Sequence, residues 1–267
     1  LDQLREADVF LVEPVEDDHP PQARLPGSEA HSEIPQCSVA IMLGAKGRLY
    51  VVLPTGVETR LPFACNAPFM QDPARLKIKD PAISPTNRWL LERAGKLAAQ
   101  AMVEWLGHSK SGISDRAAAY GLLPDVNREA NDLEGVCGAI VEVACDEALA
   151  ETPILLTDEG ELVGSKRAVI MPAEIFEIWP AEQAMALLDE ETRPALSRHV
   201  SVADRAKLQT WNLVDCFSKD DLLERLSEIH LPRPATWRNL LNLWTYIAPE
   251  VTGYDCDDPK SLRIVPV

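Results

Sequence analysis

The sequence predicts an α+β protein: a short sheet with one long helix, then a mainly helical region containing a β-hairpin. Three observations carry that expectation. Residues 37–69 contain three apolar runs, CSVAIMLG, RLYVVLP and LPFACNAPF, separated by turn-like residues. Residues 84–106 carry the strongest helical period of the chain behind Ser84 and Pro85. Past residue 110 helical patterns dominate, broken by PILLTDEGELVG, which reads as strand, tight turn and strand.

Taken in order, residues 1–12 read as the end of a helix entering a short strand, VFLV. EPVEDDHPPQARLPGSEAHSEIP follows as a polar, proline-rich loop, and His19 and His31 in it are read as solvated. CSVAIMLG and RLYVVLP read as a hairpin closed by the glycine-flanked GAKG turn. TGVET reads as a further turn, delivering the chain into the third strand. Between that strand and the long helix lies a loop with alternating basic residues, Arg75, Lys77 and Lys79.

In the long helix, Leu90, Leu91, Ala94, Leu97, Ala98, Ala101, Met102 and Trp105 form the apolar stripe. Arg88, Glu92, Arg93, Lys96, Gln100 and Glu104 form the wet face. GHSKSGISD then reads as a linker, which divides the chain at residue 110 into segments 1–110 and 111–267. From Asp125 to Glu161 there are eleven acidic residues and one basic, the solvated side of a helix whose seam is Leu133, Val136, Ile140, Val143, Ala144 and Leu149. In the TDEG turn, Asp158 and Glu159 read as turn residues rather than a catalytic pair. Helices are expected at AEQAMALLDEE, RPALSRHV, VADRAKLQ and DLLERLSEI, the last behind a Ser218–Asp221 capping box. A final helix, WRNLLNLWTYI, sets Trp237, Leu240, Leu241, Trp244 and Ile247 on one face.

The 267 residues carry a net charge of −16, which argues against nucleic-acid or anionic-membrane partners, since both need positive surface. No apolar run is long enough to span a bilayer, and no signal peptide opens the sequence. The six cysteines form no CxxC and stand at no metal-ligand spacing from a histidine, so they read as reduced, mostly buried thiols of a cytoplasmic protein, with a secreted disulfide framework as the alternative. Cys137 and Cys145, eight apart, share a helix face. No GxSxG, HExxH, GxGxxG or phosphate-loop motif occurs, and no metal site is expected. One local contrast remains. Residues 58–110 hold eight basic and five acidic side chains, a basic stretch on an acidic chain, and arginine there suits a phosphate contact. A solvated loop paired with the acidic helices accounts for the same charges.

LPTGVETRLPFACNAPFMQDPARLKI, followed by a helix beginning NRWLLE, resembles the sacsin family. Those proteins carry an ATPase module similar to that of heat shock protein 90, in the GHKL superfamily. The matching residues are Leu61, Pro62, Asn66, Phe69, Arg75, Asn87, Trp89, Leu90, Leu91 and Glu92. TPILLTDEGELVGSKRAVIM is similar to a sacsin-repeat hairpin, and LRIVPV to the start of another. The resemblance implies a transducer-like middle domain over 1–110 and a helical domain over 111–267 with the repeat-like hairpin at 153–171. It implies that an ATP-binding domain lies upstream of Leu1 and holds ATP and Mg, with no cofactor in this segment. It also implies a basic residue lent to the nucleotide's terminal phosphate: Arg75 first, Lys77 next, Arg60 third.

The function expected is the middle segment of a large chaperone-type ATPase, not catalytic by itself, coupling the ATP-binding domain to downstream conformational change. Its partners are then its own ATP-binding domain and client proteins. The alternative is an interaction scaffold without nucleotide coupling, docking through Trp237, Leu241 and Trp244. A third reading is part of a bacterial anti-phage or stress effector.

Overall fold

A computed structural model of the chain describes residues 10–15, 37–45, 47–125, 132–185, 187–188, 193–228 and 233–251. The expected N-terminal helix, His19, His31 and the LRIVPV segment fall outside these. The described chain is α+β and divides into two compact units, 1–152 and 153–267.

The first unit begins with strands β1 (Phe10–Val15), β2 (Cys37–Leu43), β3 (Arg48–Val51), β4 (Leu53–Glu58) and β5 (Phe63–Asn66). They form one sheet in the order β1-β2-β5-β3-β4. β2 runs antiparallel to β1 and to β5, with Ile41 opposite Cys65. β3 runs parallel to β5 and antiparallel to β4. The expected β2–β3 hairpin is therefore absent, because β5 lies between them. The reason is apolar content. Phe63, Ala64 and Cys65 are all buried, so β5 needs a neighbour on each side. The turn after β2 packs instead on the β4–β5 connection. A Cβ at Gly47 would stand 2.4 Å from the Leu61 carbonyl oxygen, so only glycine fits.

TGVET is not a turn but part of β4, with Thr55 and Val57 facing inward. The chain reverses on a single residue: Val51 pairs with Leu53, leaving Val52 between them at φ 66°. A β-branched residue in that region costs on the order of 1–3 kcal/mol. Asn66 Oδ1 accepts from the Val52 N–H at 3.0 Å and holds it there.

Helix α1 (Pro85–Gly107) starts as the sequence indicates. Ser84 caps it by accepting from the Asn87 N–H, and Pro85 fills the first turn. Its wet face is as expected, but its buried surface is wider than one stripe and includes Asn87, Gly95 and Ala99. Strands β1 and β2 pack against it, as do α2 (Ile113–Ala117), a 3-10 turn at Ala118–Leu122, and α3 (Leu133–Leu149), which also touches β4. Arg116 is buried and donates from Nε to the Leu106 carbonyl at 2.6 Å, satisfying a carbonyl at the end of α1. GHSKSGISD is thus a helix corner within one compact unit, and the unit ends at Thr152 rather than near 110.

α3 crosses α1 at Gly95, where a Cβ would lie 2.3 Å from the Val141 carbonyl oxygen. Its buried seam is Cys137, Val141, Ala144, Cys145 and Leu149, and Val143 is 56% exposed. Ala144 and Leu149 are buried as expected, whereas Leu133, Val136 and Ile140 are only partly covered and Cys137, Val141 and Cys145 join the seam, because the close approach at Gly95 sets the rotation of the helix. Cys65, Cys137 and Cys145 are free thiols, each pushed up to about 12, first by burial. They stay protonated and unreactive near neutral pH.

The second unit contains β6 (Leu155–Leu156), β7 (Leu162–Val163), β8 (Val169–Ile170), α4 (Ala173–Ile178), α5 (Ala181–Met185), α6 (Val202–Thr210), β9 (Asp215–Cys216), α7 (Lys219–Glu228) and α8 (Trp237–Val251). β6 and β7 form the expected hairpin. Asp158 in its turn accepts from the Arg198 N–H at 2.9 Å and pairs with that guanidinium, which is a structural use of the carboxylate. RPALSRHV is extended rather than helical. Leu196 donates to Val169 and Ser197 to Leu156, bridging the small sheets, and Pro194 has no N–H for a helical bond. The capping box is present: Ser218 N–H donates to Asp221 at 2.7 Å, and Asp221 N–H to Ser218 Oγ at 3.1 Å. The core gathers Val169, Ile175, Ile178, Trp179, Leu187, Phe217, Leu222, Leu243 and Ile247.

Candidate functional site

Arg75, Lys77 and Lys79 do not lie on an open loop. Residues 70–79 fold back on themselves. Asp72 N–H donates to the Lys77 carbonyl at 2.9 Å, Lys79 N–H donates to the Met70 carbonyl at 2.8 Å, and Gln71 bridges Ile78. Ile78 is the buried anchor of this clip. At its tip the Asp72 carboxylate accepts from the N–H groups of Leu76 and Lys77, and Arg75 takes φ 56°.

Asn87 fastens the clip to the first turn of α1. This side chain is fully buried. Its Oδ1 accepts from the Met70 N–H at 2.7 Å, and its Nδ2 donates to the carbonyls of Met70 at 2.9 Å and Lys79 at 2.8 Å. One amide therefore ties both arms of the clip to the helix that runs through the unit. Gly56 of β4 adds a further tie, donating to the Leu76 carbonyl at 2.7 Å.

The three basic candidates have different surroundings. Arg75 is exposed at the tip, and its guanidinium has no hydrogen-bond or ion-pair partner among the described residues. Lys77 stands 3.7 Å from Glu134 in the first turn of α3. Arg60 is exposed and lines a cleft of about 210 Å³ with Glu58, Asp125, Asp132, Glu134 and Glu142. They do not form one phosphate cradle. Arg60 sits among carboxylates, which repel an anion, and Lys77 is engaged. Of these three, Arg75 is the cation unpaired among the described residues on a hydrogen-bonded base, and Lys79, on the clip's other arm, is exposed as well. Among the described residues no group of histidine, cysteine, aspartate or glutamate is suited to hold a metal.

On α8 the expected stripe splits. Leu243 and Ile247 are buried, and Leu240, Trp244 and Tyr246 pack partly against the core. Trp237, at 80% exposure, and Leu241, at 64%, face outward. Asn239 fixes the start of this helix by donating to the carbonyls of Glu177 and Ile178.

Sequence reasoning missed the role of Asn87, whose signal was an asparagine on the same helix face as Leu90, Leu91 and Ala94. It also missed the strained turn at Val52. No helix among the described residues is long and apolar enough to cross a membrane. Compared with known proteins, the chain matches no family model, no curated protein and no solved structure.

Proposed function

We propose that this chain is a coupling segment of a sacsin-like, chaperone-type ATPase in the cytoplasm, receiving the state of a nucleotide held by another domain. ATP and its Mg belong to that domain. Arg75 reaches the terminal phosphate, and the clip passes the contact to α1. The observation that carries this reading is the Asn87 anchorage. A phosphate contact at an arginine on a loose loop would be absorbed by the loop, whereas the clip and α1 move as one piece. The residues Arg75, Asn87 and Trp89 to Glu92 that carry the sequence resemblance are the same ones that build the clip and its helix. An arginine with no internal partner, on a backbone held by hydrogen bonds, is suited to charge that develops in phosphoryl transfer. Arg75→Ala in the ATP-hydrolysing protein lowers turnover by about 10²–10³-fold with ATP affinity unchanged. Unchanged turnover removes the role.

A second reading, a docking scaffold, is favoured by the outward Trp237 and Leu241 on α8. It predicts that Leu241→Glu weakens partner binding and leaves ATP turnover alone.

A further inference from the structure

The β3–β4 tip is built in a way that internal stability does not explain. Hairpins that reverse in so few residues favour glycine, asparagine or aspartate, which tolerate positive φ. Here the reversing residue is Val52, at φ 66° and 87% exposed, followed by Leu53 at 72%. Both the backbone conformation and the exposed apolar surface are unfavourable. The residues around the tip, Leu49 to Gly56, carry no charge, on a chain of net charge −16. The tip is also held in place: Asn66 bonds the Val52 N–H, and Arg48 and Glu58 pair at the base of the hairpin.

We propose that Val52 and Leu53 form a docking finger that enters an uncharged apolar pocket on a partner protein. Three considerations select this occupant. A lipid surface is disfavoured because the tip offers no lysine or arginine to anionic headgroups, and the chain as a whole is acidic. A second copy meeting tip to tip is disfavoured by area. Two such side chains bury a few hundred Å² per copy at most, well under the roughly 1,200–2,000 Å² of total surface that stable interfaces bury. A pocket surrounds a finger on several sides, which is how a few residues come to dominate an interface. An added strand along β4 is disfavoured as well, since Pro54 lacks an N–H and Gly56 already donates to Leu76.

The inference has two linked tests. Val52→Asn places a residue that tolerates positive φ at the turn, so the melting temperature of the chain rises by a few degrees. A fall in melting temperature means the valine is needed for folding, and the finger is withdrawn. For the partner, a photoreactive residue replaces Leu53 in the protein expressed in its own cells, with the exposed Val202 on α6 as the control position. The protein joined at position 53 but not at 202 is identified, purified and titrated against the wild-type chain and Leu53→Thr. The account requires binding that weakens by about tenfold or more in the variant. Joining to lipid alone, joining to a second copy alone, no adduct, or equal affinity of the two chains would each overturn it.

Discussion

Asn87 makes four hydrogen bonds through its side chain and backbone, and no single-atom change preserves them all. Asn87→Ala leaves the Met70 N–H and the carbonyls of Met70 and Lys79 without this partner at a partly buried site. Each group left unmet costs about 1–3 kcal/mol, so urea denaturation should show a loss of about 2–4 kcal/mol. Asn87→Asp keeps the acceptor but aims a carboxylate oxygen at the carbonyls of Met70 and Lys79 in a buried site, so near neutral pH it should be at least as destabilising as alanine. Asp215 offers a second residue-level test. The Arg193 hydrogen bond, with Lys166 nearby, holds its carboxyl below the usual carboxylate range. A depressed folded value stabilises above the unfolded pKa and is lost as pH falls through the folded one. Arg193→Ala should therefore lower the melting temperature near neutral pH, and the difference from wild type should shrink under acid. An equal difference at every pH contradicts the pairing.

At the scale of elements, the α1–α3 crossing depends on one glycine. Alanine in a helix interior is ordinarily favoured over glycine by about 1 kcal/mol. At Gly95 the added methyl would meet the Val141 carbonyl and the Ala144 Cβ, and overpacking costs about 1–3 kcal/mol or more. Gly95→Ala should lower the denaturation midpoint, whereas Gly138→Ala, on α3 with open space around its Cβ, should not. The helix itself was legible because its caps and its period are local: Ser84, Pro85 and the Leu90–Met102 stripe lie within a few turns of one another. Strand order was not legible. CSVAIMLG and RLYVVLP look like hairpin partners from their spacing, and only competition for the middle of the sheet shows that β5 displaces that pairing. The α3 seam was missed by a rotation for a similar reason. Hydropathy favours Val143, but the close approach at Gly95 turns Val141 and Cys145 inward beside the expected Ala144. On α8 the period found the buried Ile247, but periodicity alone could not separate it from the exposed Trp237.

Across the whole molecule, charge and anchorage give the basic candidates different surroundings. The sequence shows Arg60, Arg75 and Lys77 as three cations in one basic stretch. The fold puts Arg60 among carboxylates, engages Lys77 with Glu134, and leaves Arg75 unpaired on a clip tied to the central helix. The long chain-order separation of Glu134 and Asp125 from the clip is why residue spacing could not make that distinction. The most direct test of the coupling account is steady-state ATP hydrolysis by the protein containing this chain, comparing Arg75→Ala with Arg60→Ala. The account predicts a loss of about 10²–10³-fold for Arg75→Ala and turnover near wild type for Arg60→Ala. Wild-type turnover in Arg75→Ala, or an equal loss in both variants, would contradict it.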